Sequence, residues 1–189
     1  MAAQISSILC HMESHGIVHG DVSPGNIRVD TFGRYRLLDF GLARDTRENA
    51  PPLRGGTPRY TSPEEIEGEL PGHSSDLYAL GLVLCEAVTG KPLIQGTTFQ
   101  EIERCHCDGT WSMPESIQQV PALTRLVDCM LARNPAERLI SAFELSGALS
   151  ALGFERPEFR QQKMKIKSNE PTRRSRLIPV ENKPKSIRS

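Results

Sequence analysis

The chain has 189 residues, 38% hydrophobic and 24% charged, with 23 basic and 23 acidic side chains, the profile of a soluble domain with a sizeable core. Its longest apolar run, LYALGLVL at 77–84, is too short to cross a bilayer, and Met1 is not followed by the basic and long apolar segments of a secretory signal. Five scattered cysteines fit free thiols in a reducing compartment, so a cytoplasmic location is expected.

The first segment, ISSILCHMESHG, places Ile5, Ile8, Leu9 and Met12 on one face of a helix, with Gly16 suited to end it. IVH at 17–19 reads as a short extended piece. NIRV and YRLLDF are two strand-like runs joined by DTFGR, which predicts a hairpin turning at Gly33. Residues 43–63 hold many Arg, Gly, Pro and Thr without periodicity and read as a long loop, which in a compact domain is usually functional or disordered.

Helices follow. SSDLYALGLVLCEAVTG is apolar on nearly every side, as a helix at the centre of a bundle should be, with its serines suited to cap the start and Gly90 to end it. TTFQEIERC opens with Thr98 and Glu101 at capping-box spacing, and SAFELSGALSALG repeats that spacing with Ser141 and Glu144. VPALTRLVDCMLAR puts Leu123, Leu126, Val127, Met130 and Leu131 on one stripe. Cys105, His106 and Cys107 are adjacent and lack the gaps of zinc-ligand pairs, so no metal site is expected there.

Charge is uneven along the chain. Residues 155–189 carry 11 basic and 4 acidic side chains, a net +7, which leaves −7 for residues 1–154. A polar, basic segment without apolar periodicity is expected to be a disordered tail, more a solubilising or linking element than a nucleic-acid contact.

The octet HGDVSPGN at 19–26 could be no more than a turn, since Asp, Asn, Pro and Gly favour turns for local reasons. DFG follows, with Asp39 thirteen residues after Asn26. Two strands folding back between them would bring Asp21, Asn26 and Asp39 to one end of the hairpin. Hard oxygen donors at one mouth suit Mg²⁺-assisted phosphoryl transfer. Asn26 and Asp39 would hold the metal, and Asp21 would accept the proton of the attacking hydroxyl.

Taken together, the motifs resemble the C-terminal lobe of a eukaryotic-type (Hanks-type) protein kinase, most similar to the serine/threonine kinases. HGDVSPGN resembles the catalytic loop H-R-D-x-x-x-x-N, and DFG matches outright. GGTPRYTSPEE resembles the end of the activation segment, with Thr57 at the substrate-facing position and SPE in place of A-P-E. SSDLYALG resembles the start of the central buried helix, and RNPAERL the arginine-bearing turn before the last helix.

The resemblance implies a mainly α (α+β) kinase-like lobe over residues 1–153, a helical bundle with one small β-hairpin, followed by the basic tail at 154–189. It implies ATP and Mg²⁺ as cofactors, a protein substrate, Asp21 as the catalytic base, and Ser23, Asn26 and Asp39 on the nucleotide side. It assigns structural roles to His19, Glu64, Asp76 and Arg138. Glu64 and Arg138 are expected to form a buried ion pair, and Asp76 to accept the backbone N–H groups of His19 and Gly20.

Three departures are visible. Gly20 stands where the family carries an arginine, and Ser23 where it carries a lysine. No Gly-rich loop, V-A-I-K-like strand or helix-C glutamate precedes the octet. The resemblance therefore implies that the nucleotide-covering lobe is absent, that the chain alone is inactive, and that its lobe-facing surface is open to a partner. Two alternatives stand beside this reading: a non-catalytic pseudokinase fragment that binds other proteins, and a small-molecule phosphotransferase of the aminoglycoside or choline type.

Overall fold

A computed structural model of the chain describes residues 1–48, 55–138 and 141–153. The basic tail expected over 154–189 lies outside the described residues. Helix α1 (Ala2–Ser14) buries Ile5, Leu9 and Met12 along the face that their spacing predicts. The chain then leaves through Gly16 at φ +71°. Strand β1 (Ile17–Val18) and the octet come next, and then the hairpin of β2 (Ile27–Val29) and β3 (Tyr35–Leu37). Its strands are antiparallel, with Ile27 opposite Leu37 and Val29 opposite Tyr35. The turn is fixed by Asp30, whose carboxylate accepts the backbone N–H groups of Phe32 (2.9 Å) and Arg34 (3.0 Å).

Residues 43–63 are more structured than their composition suggests. Strand β4 (Arg44–Asp45) pairs antiparallel with β1, Ile17 opposite Asp45, and a 3₁₀ turn covers Pro58–Tyr60. The short helix α2 (Pro63–Ile66) begins within the same span, closed by a Ser62–Glu65 capping box. A two-residue strand has no periodicity to read, and its partner lies far back in the chain.

Helix α3 (His73–Thr89) runs through the middle, with Ser75 to Cys85 buried without interruption. It starts before the serines that the sequence offers as caps. Gly72 is the N-cap, and Ser75 reaches back to accept its N–H at 3.0 Å. Helix α4 (Phe99–Asp108) packs on α2 and the Pro58–Tyr60 turn, the short α5 (Glu115–Gln118), which has no sequence signal, and α6 (Pro121–Met130) pack on α3, and α7 (Ala142–Ala151) packs on α1. The Thr98 and Ser141 side chains accept the N–H groups of Glu101 and Glu144, as their spacing predicts.

The core joins Ile5, Leu9 and Met12 of α1 to Leu77, Leu80 and Leu82 of α3, Leu126 and Met130 of α6, and Leu145 and Leu149 of α7. Each such side chain contributes ~1.5–3 kcal/mol of transfer free energy. Gly81 lets α3 meet the end of α6, since a β-carbon there would lie 2.9 Å from Leu131 Cδ2 and 3.0 Å from Met130 Cβ. The described residues are thus about half helical, with two small two-stranded sheets. No helix among them is long and apolar enough to cross a membrane.

Candidate active site

The octet hangs between α3 and the hairpin. Asp76, in the first turn of α3, accepts the backbone N–H of His19 through Oδ2 at 2.8 Å and that of Gly20 through Oδ1 at 2.9 Å. His19 is fully buried. Its Nε2 bonds the Leu38 carbonyl at 3.1 Å, and its Nδ1 accepts the Asp21 N–H at 3.3 Å. A carbonyl can only accept, so Nε2 carries the hydrogen and the ring is neutral. Burial holds the imidazole below its ordinary range. The ring also meets Phe40 edge-on, with centroids 5.1 Å apart. One histidine thus links the octet to the end of β3 and to DFG.

These anchors present the Asp21 carboxylate at the mouth. Oδ1 accepts both the backbone N–H and the hydroxyl of Thr57, each at 3.0 Å. Oδ2 accepts Asn26 Nδ2 at 2.7 Å, and the same Nδ2 donates to the Asp21 carbonyl at 2.9 Å. With its amide hydrogens turned to Asp21, Asn26 is left with Oδ1 as an oxygen donor for another group. The Asn26 carbonyl accepts the Leu38 N–H at 2.8 Å, which sets Asp39 one residue beyond. Asp39 is exposed and is the single non-glycine with positive φ (62°) among the described residues. Such a backbone is uncommon and mildly strained, and it clusters at functional sites. Its Oδ1 accepts the Gly41 N–H at 3.0 Å.

The structure therefore gathers His19, Asp21, Asn26, Thr57 and Asp76 into one hydrogen-bonded group, with Asp39 at its rim. Ser23 stands apart. It is 2% exposed and precedes the 3₁₀ turn Pro24–Asn26, and its carbonyl accepts the Asn26 N–H at 3.0 Å.

Thr57 is held against Asp21 by contacts that the sequence reading missed. Tyr60 donates its hydroxyl to Glu86 of α3. The Arg59 guanidinium donates to the carbonyls of Ile94 and Gly96, both at 2.7 Å. His106 of α4 donates from Nε2 to the Pro58 carbonyl at 3.0 Å and accepts the Tyr78 hydroxyl at 2.9 Å. The available signal was a polar residue placed where a helix should be apolar, Glu86 near the end of α3.

Farther on, Arg138 lays both terminal nitrogens on Glu64, each at 2.6 Å. Its remaining N–H groups go to the carbonyls of Ala132 (2.7 Å), Ser74 (3.2 Å) and Arg133 (2.9 Å), so all five donors are used. Burial alone would raise the Glu64 carboxyl, but hydrogen bonds from Arg138 and Ser75 outweigh it and hold the group below the usual carboxylate range. This pair ties α2, just past Tyr60, to the segment before α7.

A groove of about 1100 Å³ opens beside the Gly20–Gly56 side of the mouth, between residues 42–48, the 65–71 turn and α4. Among the described residues Asp45, Glu48, Glu65, Glu67, Glu69 and Glu103 line it with Arg44, Asp45 being paired with Arg47 and Glu67 with Arg133. Among the described residues no group of three or more His, Cys, Asp or Glu could hold a metal ion by itself. Asn26 and Asp39 are oxygen donors of the kind Mg²⁺ takes when phosphate oxygens and water complete its shell.

Comparison with known proteins gives the family. The family model of the protein kinase domain matches residues 1–146. The chain is 34% identical over 144 residues to serine/threonine-protein kinase RUNKEL of Arabidopsis thaliana, covering 74% of this chain and 10% of that protein. It is 36% identical over 143 residues to the DNA damage-responsive serine/threonine-protein kinase RqkA of Deinococcus radiodurans, covering 72% of this chain and 21% of that one. With serine/threonine-protein kinase PknD of Mycobacterium tuberculosis the identity is 32% over 149 residues, covering 76% and 22%. The chain thus matches a quarter or less of the length of each of these relatives. On the match across residues 1–146, the chain belongs to the protein kinase domain family.

Proposed function

We propose that the chain carries the base-bearing and metal-holding half of an ATP-dependent protein serine/threonine kinase site. The observation that carries this reading is the Asp21 carboxylate, held between Thr57 and Asn26 with Asp39 at the rim. A Mg²⁺ ion with ATP would supply charge neutralisation on the transferring phosphate. Asn26 Oδ1 and the Asp39 carboxylate are the groups that would hold it.

The chain's own work is positional. Asp76 and His19 fix the octet, and the octet fixes Asp21. A substrate hydroxyl reaching Asp21 where Thr57 Oγ1 now donates would be oriented by the carboxylate and would pass its proton to it. The acidic groove favours a basic segment of a protein substrate. Val29, Phe32, Leu38 and Phe40 stand exposed on and beside the hairpin and form the surface a partner segment would cover.

Gly20 and Ser23 stand where the family carries an arginine and a lysine. Ser23 is not a cation, and no lysine precedes Lys91. Each missing preorganised donor at a phosphate site costs ~2.7–4 kcal/mol of barrier by analogy with oxyanion holes, so the 189 residues alone are expected to transfer phosphate very slowly.

Thermal unfolding of the full chain tests the reading. ATP with Mg²⁺ at about a hundred times its Kd should raise Tm by roughly 5–10 °C, and Asn26→Ala or Asp39→Ala should remove the shift. No shift for the wild-type chain, with or without Mg²⁺, would favour a non-catalytic, partner-binding protein.

A further inference from the structure

Leu42, the residue after DFG, lies against three glycines from two separate segments. A β-carbon on Gly55 would lie 3.4 Å from Leu42 Cδ2, and one on Gly56 would lie 3.5 Å from Cδ1. From the octet, a β-carbon on Gly20 would come within 2.9 Å of the Leu42 carbonyl oxygen and 3.6 Å of its Cβ. Gly20 itself has φ +76°, a conformation that side chains rarely adopt. The same β-carbon position on Gly56 lies 3.6 Å from Asp21 Oδ1, and Gly56 immediately precedes Thr57, whose N–H and hydroxyl meet that oxygen.

We propose that Leu42 is the positioning residue of the segment that carries Thr57: seated against Gly20, Gly55 and Gly56, it sets Thr57 on Asp21. A side chain at Gly20 would strain the backbone and push on the Leu42 carbonyl, and one at Gly56, also at positive φ (+97°), would strain the backbone, while a β-carbon at Gly55 would meet the leucine methyl groups at ordinary contact distance. Apolar contact with bare backbone is a short-range restraint that salt does not screen. It joins the octet, DFG and the Thr57 segment, three pieces distant in sequence, at one side chain. Polar clamps hold Pro58–Tyr60 from the far side. Leu42 is the matching restraint on the near side.

The proposal rests on the kinase reading for the meaning of Thr57 at Asp21, but its test needs no phosphoryl transfer, so the two can fail separately. Amide hydrogen exchange of the full chain is followed by NMR at Thr57 and, as an internal reference, at buried amides of α3. Leu42→Ala should speed exchange at Thr57 about tenfold or more while the α3 amides keep their protection. Leu42→Met, similar in volume, should restore slow exchange. Gly20→Ala, which displaces the Leu42 backbone rather than trimming its side chain, should release Thr57 in the same selective way. Unchanged exchange at Thr57 in Leu42→Ala would overturn the proposal. So would a uniform loss of protection in that variant together with an undisturbed Thr57 in Gly20→Ala.

Discussion

The Asp76 carboxylate reaches from the buried helix α3 to the backbone N–H of His19 at 2.8 Å and spends its second oxygen on the next N–H, that of Gly20. Burial raises this carboxyl to about 7 against the pull of the two N–H bonds. Two donors meeting two separate oxygens favour the ionised form against that burial.

Asp76→Ala should therefore cost more than the loss of a charge at a helix N-terminus, which is worth ~0.3–1 kcal/mol. Two buried N–H groups would be left without partners at ~1–3 kcal/mol each. Urea denaturation should show a loss of at least ~2 kcal/mol by the lower end of that range, with faster amide exchange at His19 and Gly20. A loss within the helix-dipole range would mean that Asp76 does not anchor the octet.

Glu64 and Arg138 invite a double-mutant cycle. Removing one partner of a buried pair strands the other charge and typically costs ~3–5 kcal/mol. Glu64→Gln and Arg138→Met should each approach that loss, and the double variant should lose clearly less than their sum. Additive losses would show that the pair is not coupled.

These two relationships were legible because each rests on a charged residue at a fixed place in a motif, Asp76 in SSDLYALG and Arg138 in RNPAERL. The long helices were legible too, since α1 and α6 bury their periodic apolar faces and α4 and α7 open with capping residues. Contacts made across the chain by residues with no local pattern were not. The two-residue β4 finds its partner 26 positions back, Arg44 against Val18. His106 reads in sequence as part of a cysteine cluster, yet its ring is buried between Tyr78 and Pro58. The Leu42 contact brings together glycines from two segments distant in sequence, which no periodicity records.

His106 gives a pH prediction. Burial pushes its imidazole down to about 4, although the bond to the Pro58 carbonyl works the other way. The ordinary value is about 6.5, so between pH 6.5 and 4 the unfolded chain binds the additional proton. Stability is then whole above pH 6.5 and falls as pH drops toward 4, by up to ~1.4 kcal/mol per pH unit from this group. His19, also lowered by burial, adds a slope of the same sign. His106→Gln should flatten the profile by the His106 share. An unchanged slope in that variant would place the titration elsewhere.

Phosphate incorporation from radiolabelled ATP into a basic protein should stay near background for the 189-residue chain, with or without Asp21→Ala. Robust incorporation by the wild-type chain that vanishes in Asp21→Ala would support Asp21 as the base. It would also overturn the claim that the site needs cations beyond those in hand.

The central claim is that Asn26 and Asp39 hold the metal of a nucleotide–metal complex beside Asp21. Mn²⁺ substituted for Mg²⁺ in the presence of ATP tests it most directly, because the paramagnetic ion broadens NMR signals only near where it binds. The account predicts selective loss of the Asn26 and Asp39 amide signals with those of α7 intact, and no such loss in an Asn26→Ala, Asp39→Ala double variant. Broadening confined to the acidic groove around Glu65 and Glu103, or identical broadening in the double variant, would contradict it.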